Sequence, residues 1–317
     1  MKYLFLFLAC AFFSVQFIFT KLFSRGTSSK AHIGLWNGCF VALCIILYLF
    51  PMNQFRWEFT PAAGLIALLF ALCGLTISLC NIPAMRLGNM AVVTTYMLIG
   101  GMVLPFAYGV LALKEECKPL KLIAITVLIA AIIPNLLQGK KEKDPARSRK
   151  NAILFHTLGL ILFTLNGLIS ILTTVHSLHE NKISSEGFTF LCAFCQFVLT
   201  LLFLIGYTIC KRIKGEKGAF RYVWIDVTSE TPATTKKLLL LLLFGFCYAL
   251  CNGGGNIFSQ ESLAAGMPSS VQFPVISGAV IVFTALFGSW FFGEKISKMN
   301  ALSLILSVIG SVLFMLA

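Results

Sequence analysis

The sequence predicts an all-α integral membrane protein: ten transmembrane helices arranged as two inverted five-helix repeats. Three observations carry this prediction. Of its 317 residues, 58% are hydrophobic and 12% charged, with a mean hydropathy of +0.89, too little polar surface to cover a water-soluble globule of that size. Apolar runs of spanning length recur along the chain, where a hydrocarbon core of about 30 Å asks for about 20 such residues per helix. The chain also repeats itself. Residues 268–295 line up without a gap on the stretch from residue 90 to Glu116, setting Gly266 over Gly88, Val271 over Val93, Gly278 over Gly100 and Glu294 over Glu116, as expected of a fold built twice.

Residues 3–20 form the first predicted span. Its start is similar to a signal peptide, but the apolar run continues to Phe23, longer than the ~7–15 residues of a signal's apolar region. Lys21 can snorkel at its end. Residues 32–50 are the second span, and residues 52–60 a turn with Trp57 as an interfacial anchor. The third covers 61–81 and the fourth 90–113, joined by a tight link over 83–89; the fifth covers 119–138. Residues 139–151, GKKEKDPARSRKN, are the sharpest change of composition. They read as a solvated basic linker dividing a first repeat, 1–138, from a second, 152–317. Spans at 152–175 and 187–210 follow, then a polar loop at 211–237 and spans at 238–258, 268–295 and 301–317.

Five spans per repeat make the second copy enter the membrane from the opposite side, with a pseudo-two-fold axis in the membrane plane. Most of the 25 Lys and Arg lie in loops after odd-numbered spans, which places the linker in the cytoplasm and both termini outside. The formal charge of +13 is then accounted for by topology and anionic lipid, and no nucleic-acid partner is expected. The expected partners are a small solute and the bilayer, the chain being a monomer or homodimer.

Catalytic chemistry has little support. The eleven cysteines sit mostly inside apolar runs, where they act as small hydrophobes, and Cys192 and Cys195 form one C-x-x-C with no second pair for a metal. His156, His176 and His179 fall around the ends of the sixth span, where interfacial solvation is the expectation. No phosphate-binding loop or nucleophile elbow occurs, so neither an enzyme nor a cofactor is predicted.

Ser14-Val15-Gln16-Phe17-Ile18-Phe19-Thr20-Lys21 at the end of the first span, the long helix closing in Phe291-Phe292-Gly293-Glu294-Lys295 and the ten-span plan together resemble the EamA-type branch of the drug/metabolite transporter superfamily. The resemblance covers nearly the whole chain. It implies an alternating-access carrier in a bacterial inner membrane, with a cavity lined by spans one, three, four, six, eight and nine. Polar residues on those spans are Gln16, Thr94, Thr95, Tyr96, Asn166, Asn252, Asn256, Gln260, Gln272 and Ser277; in lipid each must bond a neighbouring helix or line a wet cavity. The part from Gln272 to Gly278, facing Thr94 to Gly100, is the expected centre of the site. Gly253, Gly254 and Gly255 each cost about 1 kcal/mol against alanine in a helix, offset either by close packing or by a hinge that exposes carbonyls to solute. No acid sits mid-span, and Glu261 at the end of the eighth is the one carboxylate placed for proton coupling. The predicted function is secondary transport of a small polar metabolite such as an amino acid, by efflux and without ATP. The alternatives are an anionic metabolite, sugar or nucleotide-sugar carrier with Lys21 or Arg86 as charge partner, and a non-transporting membrane scaffold or enzyme.

Overall fold

The computed structural model describes residues 1–26, 31–54, 56–87, 90–131, 133–134, 149–215, 235–292 and 298–316. Most of the basic linker and of the 211–237 loop, and the Gly293-Glu294-Lys295 ending, lie outside the described residues. Those described are helical, without strands. The helices are α1 (Lys2–Gly26), α2 (Ala31–Met52), α3 (Pro61–Leu87), α4 (Met90–Leu111), α5 (Pro119–Ala130), α6 (Arg149–Leu178), α7 (Ser185–Ile213), α8 (Thr235–Ala264), α9 (Ser269–Phe292) and α10 (Lys298–Leu316). Helix α3 continues to Leu87 and so takes in most of the predicted 83–89 link. Stretches of α1, α2, α3, α6, α7 and α8 are long and apolar enough to cross a membrane, and α4, α5 and α9 carry shorter apolar stretches. The chain is therefore a helical, multi-pass membrane protein.

Local chemistry sets the helix ends. Thr60 Oγ1 accepts from the Ala63 N–H at 3.2 Å and Pro61 follows it, so α3 starts with a cap and a proline whose missing N–H costs nothing there. Ser184 caps α7, accepting from the Gly187 N–H at 3.0 Å, while Lys211 and Arg212 in the last turn complement the helix dipole. Gly266, at φ +84°, ends α8: the Met267 N–H reaches back to Ser262 O at 3.0 Å, a closure that needs a left-handed residue. Glu115 then takes the first amides of α9, accepting from the N–H groups of Ser269 at 2.9 Å and Ser270 at 3.0 Å.

The two halves interleave rather than sit side by side. α1 packs on α8 and α9, α6 on α3 and α4, α2 on α7 and α8, α3 on α7, α4 on α9 and α5 on α10. One core joins α1, α4, α5, α9 and α10 around Met102, Leu128, Val271 and Phe314. Another joins α2, α7 and α8 around Leu49, Phe190 and Ala249, and a third seals α3 against α7 through Ala63, Ala67 and Phe188. Rows of leucine, including Leu65, Leu68, Leu69 and Leu72 on α3 and Leu239, Leu240, Leu242 and Leu243 on α8, face outward. In water they would be a liability; lipid chains take them at no cost.

Candidate functional site

The amide residues of α8, Asn252, Asn256 and Gln260, recur at every fourth position and so share one face. Asn252 donates from Nδ2 to Gln16 Oε1 of α1 at 3.1 Å. Asn256 donates back to Asn252 O at 2.8 Å. Gln260 donates from Nε2 to Thr189 Oγ1 of α7 at 2.9 Å, and Thr189 donates to Ser185 O at 2.8 Å. At the end of this ladder Ser185 donates from Oγ to Glu261 Oε1 at 2.6 Å, so the expected coupling carboxylate is bonded to the first turn of α7.

A narrow cleft lies along this ladder, lined by Ile45 of α2, Phe70 of α3, Thr173 of α6, a stripe of α7, and Asn252, Asn256 and Gln260. The α7 stripe includes Thr189, Cys192, Ala193 and Gln196, at the i, i+3, i+4, i+7 spacing of one helix face. Every lining residue is uncharged. Amides and hydroxyls on an otherwise apolar wall are what holds and orients a polar solute.

Several predicted residues lie elsewhere. Gln272 is fully buried and donates to Ser259 O at 2.9 Å and Ser259 Oγ at 2.8 Å, tying α9 to α8. Asn166 donates to Met97 O at 2.8 Å, tying α6 to α4, and Ser277 is buried near Gly101 beside it. Tyr96 bonds His156 Nδ1 through its hydroxyl at 2.9 Å. Thr94 and Thr95 belong to α4, but their side chains, like those of Lys21 and Arg86, are outside the described residues. The stretch from Gln272 to Gly278 therefore holds helices together, and the cleft lies beyond it, with α2 and α7 in place of α1, α4 and α9.

The three glycines sit in unbroken helix. A Cβ on Gly253 would meet the Tyr48 hydroxyl, one on Gly254 the Phe12 ring at 2.8 Å, and one on Gly255 the Phe13 ring at 2.9 Å. Three aromatic side chains of α1 and α2 thus occupy the space that side chains at these positions would need, and this contact offsets the helix cost of glycine. No opened turn is present in this conformation.

One end of the cleft is fastened. Glu58, in the turn before α3, accepts from the Ser184 N–H at 2.8 Å, and Thr60 Oγ1 donates to Asn181 O at 3.1 Å. Burial pushes the Glu58 carboxyl up, but hydrogen bonds from the Ser184 backbone and side chain and from Asn53, with Arg56 nearby, carry it below its ordinary value. His176 is not solvated as expected at a span end; it is 2% exposed, stacked on Phe188. Thr173, Thr189 and Gln196 are the residues sequence reasoning passed over, and His176 the one it placed in solvent. The signal that could have found the α7 pair is the same-face spacing with Cys192 and Ala193.

Comparison with known proteins identifies a shared architecture. No family model matches the chain, and no curated protein does. Solved structures do: one, described only as "Crystal structure of protein", superposes with a TM-score of 0.69 at 13% identity, covering 99% of this chain and 98% of its own. That likeness extends over the whole fold of both chains and is a likeness of fold alone.

Proposed function

We propose that the chain is a secondary transporter of a small polar metabolite, working by alternating access without ATP in a bacterial inner membrane. The ten helices among the described residues would be ten spans in two inverted five-helix repeats. The observation that carries this reading is the uncharged, hydrogen-bonding cleft built jointly by helices of both halves. The packing scheme adds support. Exchanging each helix with the one five places along turns α1 on α8 into α6 on α3, α1 on α9 into α6 on α4, and α2 on α8 into α7 on α3, all of them observed contacts. Such exchange is what two inverted copies require. A site at the interface of two copies can open to one side or the other as they rock.

Counterflow into proteoliposomes of labelled alanine, glutamine, glucose, uridine and succinate tests the reading. Saturable counterflow of at least one supports a carrier, with efflux as the proposed physiological direction. Counterflow of succinate alone favours the anionic-metabolite reading, and none with any solute, by protein that melts cooperatively, favours a scaffold.

A further inference from the structure

Solute binding leaves a buried histidine at the fastened end of the cleft unused. The His176 ring lies flat on Phe188, centroids 3.6 Å apart at 8°, and against the Gln260 side chain; Phe188 and Gln260 both line the cleft. Nε2 accepts from the Ile183 N–H at 3.4 Å, which assigns the hydrogen of the neutral ring to Nδ1. Nδ1 and Gln260 Oε1 are both buried, and neither has a hydrogen-bond partner among the described residues. They are a donor and an acceptor on neighbouring side chains.

The ring has no place for a charge in this conformation. A second proton must go to Nε2, where it would point at the Ile183 N–H. The ionisable groups facing the ring are Lys182 and His179 from the turn, and Lys182 is held there by donating to Ser177 O at 3.1 Å. Of the carboxylates at this end, Glu58 is taken by Ser184 and Glu261 by Ser185; none of Glu58, Glu180, Glu186 and Glu261 bonds to the ring among the described residues. A buried cation beside a like charge, without a counter-charge, is strongly disfavoured, so a proton on His176 shifts the population toward a state in which this end is open.

We propose that His176 is the proton-binding residue of this protein. Uptake of one proton at Nε2 breaks the contact with Ile183 and releases the turn between α6 and α7. The Glu58 to Ser184 and Thr60 to Asn181 fastenings lie in that turn and go with it. Loss of the proton to water at the opened end restores them. What the opening serves rests on the carrier reading; the opening itself does not.

Amide hydrogen exchange of residues 179–187, in protein held in lipid nanodiscs between about pH 5 and pH 8, tests this with the proton as the only ligand. After correction for intrinsic exchange, protection of Ile183 and Ser184 is expected to fall about tenfold as pH drops through the histidine range. His176→Gln is expected to remove that dependence and His179→Gln to keep it. Protection that is flat with pH in the wild type, or a dependence that His176→Gln retains, overturns the proposal. Should His176→Gln not fold, loss of the dependence in His179→Gln does so instead. Counterflow of the same five solutes separates the two claims: pH-dependent protection without flux removes the carrier and leaves the proton site, and flux with pH-independent protection does the reverse.

Discussion

Helices α3 and α8 are the third helices of their halves and border the same cleft, yet they build it differently. α8 supplies amides of its own, Asn252, Asn256 and Gln260, and meets α1 and α2 through three glycines that receive Phe12, Phe13 and Tyr48. α3 supplies Phe70 and, at Gly74, a gap on which the Gln196 side chain of α7 rests, Oε1 lying 3.1 Å from where a Cβ would be. On one side the amide comes from the helix itself; on the other it is lent by a neighbour across a gap in the side-chain surface. Both helices also send a carboxylate to the start of α7, Glu58 from just before α3 and Glu261 from the last turn of α8. Two helices can thus line one wall asymmetrically, because each needs only to place a polar group there, its own or a neighbour's.

The largest expected effect falls on the α8 side. Gly253→Ala drives a Cβ into the Tyr48 hydroxyl, and overpacking of this kind costs about 1–3 kcal/mol. The thermal midpoint in detergent should drop by several degrees. Adding Tyr48→Phe, which removes the obstructing oxygen, should restore most of the loss; failure to restore it would mean that Gly253 is needed for something besides space.

A smaller effect is expected where α3 is fastened to α7. The folded-state value of the Glu58 carboxyl lies below the unfolded one, so its contribution is complete above the unfolded value of about 4.3 and is lost as pH falls through the folded value. Glu58→Gln should lower the thermal midpoint at neutral pH, with the gap to wild type closing below about pH 4. A gap constant with pH would place its origin elsewhere. The smallest effect belongs to Gly206 of α7, whose Cβ would meet nothing within 4 Å. Gly206→Ala should leave the midpoint unchanged or raise it slightly, by at most about 1 kcal/mol of helix propensity. A loss comparable to that of Gly253→Ala would show that the α8 glycines are not special.

Helix existence was legible because apolar runs in a chain with so few charges have few other uses, and Asn252 and Asn256 were legible because an amide inside such a run must be accounted for. The reason for the glycines was not, since Phe12, Phe13 and Tyr48 lie some two hundred residues away in sequence and only packing reveals them. Gln272 and Ser277 drew attention as polar residues inside an apolar run, but both are buried where α9 seats against its neighbours. Thr189 and Gln196 escaped because the family resemblance drew attention to other spans, although their spacing set them on one face. His176 reads as solvated from sequence because its place near the end of a span says nothing of the Phe188 ring that covers it.

The central claim is that solute meets the cleft beside α7 and α8 and not the stretch from Gln272 to Gly278. It is tested most directly by the KM for counterflow of whichever of the five solutes is carried, in Gln196→Ala and Gln272→Ala. Loss of one hydrogen bond to solute should raise KM roughly three- to tenfold in Gln196→Ala. Gln272→Ala should lower the melting temperature, through its lost bonds to Ser259, and leave KM unchanged. A raised KM in Gln272→Ala with none in Gln196→Ala would contradict the account.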